Sequence, residues 1–184
     1  MTKKNKNQDD IRDDVIEFIE IAFKGVDRKG GISFSEAIVI DNYGPKDKQL
    51  EARKFDQDRH WKDIKAEDIE RGSSVLCFLN PIGFRYYIPA YMVWTLENYR
   101  VSSSATINNT IYALDFFSEN KALNVNEYVK ARCSLLNEKQ CKAVALFLQF
   151  MSNEPDVDDL IAKKCLDRYW GQFLAEADRL VQDG

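Results

Sequence analysis

The segment Ser74–Tyr99, SVLCFLNPIGFRYYIPAYMVWTLENY, holds the densest apolar and aromatic material in a chain otherwise rich in charge. Any core has to form around it, because burying such side chains is the main favourable term in folding. If extended, Val75–Leu79 places Leu76 and Phe78 on one face and Val75, Cys77 and Leu79 on the other, so both faces need cover. A buried strand is the reading adopted, with a helical turn as the alternative. Asn80-Pro81-Ile82-Gly83 supplies turn chemistry, since proline presets one backbone angle and glycine tolerates positive φ. The pattern therefore predicts a small β-hairpin over 75–88, with Phe84–Ile88 as its returning arm. Pro89 fits the first position of a helix, where its missing N–H has no partner to lose, and that helix is expected to reach about Arg100.

On this helix Met92, Val93, Leu96 and Tyr99 form one apolar stripe, whereas Tyr91, Thr95 and Asn98 lie on another face. Tyr91 and Thr95, with Trp94, are the candidate interaction surface for a protein partner. Arg85 stands among aromatic residues, and an interior guanidinium has to find an anion or carbonyl groups.

Length and charge narrow the possibilities. At 184 residues with 45% hydrophobic content, the chain can bury one sizeable core, so a polar tail over 1–9 and one mainly α domain over 10–184 are expected. The formal charge is −4 with both signs interleaved, which argues against a nucleic-acid footprint. The longest largely apolar run, Ile88–Leu96, is far short of the ~20 residues that a membrane span needs. The charged opening carries no secretory signal pattern, and Cys77, Cys133, Cys141 and Cys165 share no C-x-x-C spacing. A cytoplasmic protein with reduced cysteines is expected, Cys77, Cys141 and Cys165 being read as small buried hydrophobes.

Several helices announce themselves by period and cap. Ile11, Val15, Phe18, Ile19, Ala22 and Phe23 repeat at helical spacing behind an acidic first turn. Ser33 with Glu36 fits a capping box for a second helix, and Pro45 opens a third over Lys46–Phe55. Asn137 and Gln140 start a helix whose stripe is Cys141, Val144, Ala145, Leu148 and Met151. A last helix is expected over roughly Val157–Val181.

Motifs that suggest chemistry mostly dissolve on inspection. Gly25–Glu36 overlays a calcium-loop template at Gly30, Ile32 and Glu36, but Gly25 and Lys29 occupy positions that need oxygen ligands, so a capped helix–turn–helix is preferred. Asp156, Asp158 and Asp159 are read as complementing a helix dipole, not as metal ligands. No metal and no cofactor is expected. His60 is the only histidine, flanked by Asp56, Asp58 and Asp63, without any nucleophile elbow, so no catalytic residue is assigned and the composition argues against an enzyme. Arg53, Asp56 and Arg85 allow two readings: an interior ion-pair network, or a polar pocket for an anionic group formed by Arg53, Asp56, His60, Arg85 and Tyr86.

These residues also carry a resemblance. Ala52-Arg53 with Asp56 and Trp61, then Phe78-Leu79, Pro81 and Gly83-Phe84-Arg85-Tyr86-Tyr87-Ile88-Pro89-Ala90-Tyr91-Met92, resemble an uncharacterised bacterial domain family marked by a phrase close to G-F-R-Y-Y-[IL]-P-A-Y. Gly31-Ile32-Ser33, Ala37, Asp41, Gln140 and Tyr169-Trp170 are similar in placement to its weaker landmarks. The resemblance implies a small bacterial cytoplasmic protein and carries no activity with it. From the acidic balance and the missing catalytic motifs, a non-enzymatic interaction protein of immunity or adaptor type is expected, with a small anionic-ligand binder or enzyme as the alternative.

Overall fold

The computed structural model describes residues 7–115, 130–155 and 157–174, and among them there is no strand. The helices are α1 (Gln8–Ala22), α2 (Phe34–Asp41), α3 (Lys46–Ala52), α4 (Ala66–Arg71), α5 (Val75–Phe78), α6 (Pro81–Asn98), α7 (Thr106–Tyr112), α8 (Glu138–Met151) and α9 (Asp159–Arg168). Short 3-10 turns lie at Arg53–Phe55, Trp61–Asp63 and Trp170–Phe173. None of the described helices is long and apolar enough to cross a membrane.

The mainly α class stands, but the expected hairpin over 75–88 is overturned. Val75–Phe78 is one turn of helix, and Asn80 caps a second helix that starts at Pro81 and runs through Pro89. The same four letters that suit a turn also suit a helix start. Asn80 has extended backbone, its side-chain oxygen accepts from Gly83 N at 2.9 Å, and Pro81 takes the first helical position. Pro89 is interior, where it cannot donate to the Arg85 carbonyl. Packing holds the helix through that defect, since Tyr86, Tyr87, Ile88, Ala90, Tyr91 and Met92 are all buried.

Helix α6 is packed by α1, α4, α5 and α7, and twelve of its eighteen residues are buried. A helix buried over most of its surface lacks a broad polar face and hence a clear 3.6-residue period. Helix α8 packs on α1 and α9, and α2 packs on α3 and α5. Three indole and phenol groups tie these layers: Trp61 Nε1 donates to Phe23 O at 3.1 Å, Tyr91 Oη to Gly72 O at 2.6 Å and Trp170 Nε1 to Leu114 O at 2.9 Å. The last expected helix is shorter than read, because Tyr169 leaves helical geometry at φ −151°, ψ −57° and a 3-10 turn follows. Asp158 stands at the N-cap position of α9 without a side-chain cap bond and Asp159 lies in the first turn, while Asp156 and the segment beyond 174 fall outside the described residues.

The cysteines divide differently from expectation. Cys133, Cys141 and Cys165 are buried, but Cys77 is exposed on α5. Burial pushes the Cys133 and Cys165 thiols up to about 12 and Cys141 up to about 11, so none of the three forms thiolate near neutrality. Titration of the native protein with Ellman's reagent is expected to find one fast thiol, abolished by Cys77→Ser, and all four after denaturation. A fast reaction that survives Cys77→Ser would contradict this packing.

Candidate functional site

The segment 53–63 determines the accessible chemistry, because it is pinned at several points and forms the wall of two clefts. Arg53 donates to Gly31 O at 2.6 Å and to Glu36 Oε2 at 3.3 Å. Glu36 is buried, and it closes the Ser33 capping box of α2, so the arginine meets a carboxylate already held in place. Three residues on, Asp56 accepts from Ser35 N at 2.8 Å and Ser35 Oγ at 2.7 Å, which fastens it over the first turn of α2. Arg28 donates to the Asp56 carbonyl at 2.9 Å and pairs with Asp58 Oδ2 at 3.4 Å. Asp63 accepts from His60 N at 2.8 Å and Arg59 N at 3.0 Å, and these backbone bonds hold its pKa below the usual carboxylate value.

Between the Arg53 and Asp56 anchors, Phe55 is 79% exposed. It lines the first cleft, of about 470 Å³, with Phe34, Ile38 and Ile64 as apolar lining. Four aspartates, Asp56, Asp58, Asp63 and Asp68, surround that lining against a single cation, Lys65. The groove is therefore apolar inside and acidic at its margin.

The second cleft, of about 300 Å³, is lined by Asp27, Arg28, Lys29, Asp58, Arg59 and Tyr86. Asp58 belongs to both clefts. Tyr86 is 1% exposed, yet its hydroxyl has no hydrogen-bond partner. Burial first, and then the Asp58 carboxylate acting on the hydroxyl, raise its pKa; Asp58 Oδ2 lines the same cleft and is likewise buried without a hydrogen bond, so an unpaired donor and an unpaired acceptor share it. A buried hydroxyl left in this state costs about 1–3 kcal/mol.

The residues singled out in the sequence do not converge on one pocket. Asp56 lines the first cleft and Tyr86 the second. His60 is exposed and lines a different hollow with Glu17, Lys24 and Trp61. Arg53 serves the Glu36 network. Arg85 is half-buried and donates to the Gln140 amide oxygen at 3.0 Å, a neutral partner that also caps α8 and reaches Ala22 O at 3.3 Å. Arg85 thus ties α6 to α8 and α1 without a carboxylate. Tyr91, Trp94 and Thr95 are buried at 0%, 4% and 0% exposure, so they offer no surface patch.

Among the described residues the deeply buried cation is Arg132, at 3% exposure. It donates to Leu76 O and Ala113 O and lies 5.1 Å from the Phe84 ring centre. Nothing local marks it, since its partners are 56 and 19 residues away in the chain. In the calcium-loop lookalike, Asp27 accepts from Lys29 N at 2.7 Å and Glu36 faces Arg53 and Lys46, so both carboxylates are committed to the fold.

A family model described as "Family of unknown function (DUF6714)" matches residues 11–174. No curated protein and no solved structure matches the chain.

Proposed function

The chain belongs to that family of unknown function, DUF6714, and from this premise we propose that it is a non-enzymatic interaction protein, immunity- or adaptor-like, whose acidic groove takes a basic segment of a protein partner. The observation that carries the reading is Phe55, 79% exposed although its neighbours on both sides are fastened. An aromatic side chain held out in this way is the usual anchor of an interface, and apolar area left in water is stabilised by being covered. Ile38, 40% exposed, widens the same apolar lining.

Charge selects the partner. Asp58 is already paired with Arg28, and the other three aspartates, Asp56, Asp63 and Asp68, against Lys65 favour a segment that flanks an apolar side chain with lysine or arginine and disfavour an acidic one. Asp63 and Asp68 are exposed, so their attraction weakens with salt.

The test uses synthetic peptides on the full chain: one with a phenylalanine or leucine flanked by lysines, and one with the same apolar residue flanked by glutamates. The basic peptide is expected to bind, more weakly at high salt, and Phe55→Ala is expected to lower its affinity by about tenfold or more. The melting temperature of the variant should stay close to wild type, as for other surface substitutions. Equal binding of the two peptides, or unaltered affinity in Phe55→Ala, would remove the proposal.

A further inference from the structure

We propose that the hollow between α1, α4 and α6 is a binding site for a quaternary ammonium group, with Lys62 as the resident cation that the ligand displaces. The hollow, of about 230 Å³, is lined by Trp61 and Trp94 together with Glu20, Lys62 and Glu97. Trp94 is too buried to offer a patch to a protein partner, but it lines this hollow from α6, as Trp61 does from the 3-10 turn before α4. The face of an indole ring carries partial negative charge and attracts a cation within about 6 Å of its centre. The chain already shows this chemistry in place. Lys62 Nζ lies 5.4 Å from the Trp61 ring centre and 2.7 Å from Glu20 Oε1.

That resident is held weakly and leaves part of the site unmet. The Lys62 and Glu20 side chains are 50% and 42% exposed, and a pair so open to water contributes little to stability. The lysine stem is flexible, so the ammonium can swing out while the backbone stays in place. Glu97 lines the same hollow, is exposed, and meets no cation among the described residues. It also stands in the last turn of α6, where a negative charge opposes the helix dipole, so it does the helix no service. Two carboxylates against one lysine leave the hollow at −1, which favours a cation. The remaining lining is apolar, with Ile64, Ile69, Ala90 and Val93. A methylated ammonium suits it better than a bare one, because its methyl groups bury against carbon and it gives up fewer hydrogen bonds to water. The hollow shares only Ile64 with the Phe55 groove, and the two sites stand or fall apart.

The experiment is an NMR titration of the full chain, read at the indole N–H signals. The probes are choline, the acetylated amide of trimethyllysine, and the neutral analogue of choline that has carbon in place of its nitrogen. The Trp61 and Trp94 signals are expected to shift saturably with either cation. Trp170, whose N–H donates to Leu114 O and which does not line the hollow, should stay where it is. The neutral analogue is expected to bind about tenfold more weakly, since it keeps the shape and loses the charge. Tighter binding of the trimethyllysine derivative than of choline would assign the site to a methylated side chain, and the reverse to a free small cation. Lys62→Gln is expected to raise the affinity several-fold by removing the resident cation, and Glu97→Gln to lower it. Both residues are exposed, so both variants should melt close to wild type. Shifts that never saturate, an equal response to the neutral analogue, an unaltered or lower affinity in Lys62→Gln, or full affinity in Glu97→Gln would overturn the proposal.

Discussion

Gly83→Ala is expected to destabilise the protein by about 1–3 kcal/mol, the cost of overpacking a filled site. In an ordinary helix interior the same change stabilises by up to about 1 kcal/mol, so the sign itself is diagnostic. A Cβ at Gly83 would stand 2.5 Å from Ile32 O and 3.3 Å from Ile32 N, and the facing Gly31 would place its own Cβ 2.6 Å from Gly83 N. These are backbone atoms on both sides, which cannot swing away as a side chain would. At about 2–4 °C per kcal/mol for a chain of this size, the melting temperature should fall by about 2–12 °C. Gly30→Ala is the control, since its Cβ would meet nothing within 4 Å. A Gly83→Ala variant as stable as wild type would mean that the loop before α2 does not rest on the start of α6.

Asn80→Ala is expected to cost about 2–4 kcal/mol, more than the ~1 kcal/mol of a typical cap. One side-chain oxygen does two jobs. It accepts from Gly83 N at 2.9 Å, capping α6, and from Ile32 N at 3.0 Å, holding the loop that leads into α2. Alanine removes both bonds and leaves two part-buried amides, of Ile32 and Gly83, without their acceptor. Asn80→Asp keeps the oxygen and adds negative charge where the helix dipole favours it, so urea denaturation should find it within about 1 kcal/mol of wild type. Equal losses in the two variants would show that the oxygen is not what matters.

How much of this was written in the sequence depends on how local each signal is. Helices α1, α2 and α8 were legible because their caps lie within three residues, as in Ser33 with Glu36 and Asn137 with Gln140, and because each has a face turned away from the core. Helix α6 was not, since burial of most of its residues erases the period, and Asn80-Pro81 spells a turn and a helix start equally well. Arg85 was read as an interior guanidinium needing an anion or carbonyls, and its partner is the Gln140 amide oxygen, 55 residues away. Asp56 was noticed, and its Ser35 clamp was not, because two anchors on separate elements leave no mark at fixed spacing. Lys29 was noted only as a cation that spoils the calcium-loop pattern, and Arg28 was not singled out. Tyr91, Trp94 and Thr95 were placed outside on the strength of a stripe that a mostly buried helix does not possess.

Both clefts depend on α6 being helical at Tyr86 and Tyr87. On a strand the two would face opposite ways, whereas here their rings are 4.9 Å apart, with Tyr87 Oη accepting from Phe34 N at 3.0 Å while Tyr86 lines the cleft. The direct measurement is the set of ¹³Cα secondary chemical shifts across residues 75–98. The account predicts helical, downfield shifts without a break from Pro81 to Asn98, and a sharp departure only at Leu79 and Asn80, whose backbone is extended. Upfield, extended-chain shifts over residues 84–88 would contradict it and take both clefts with them.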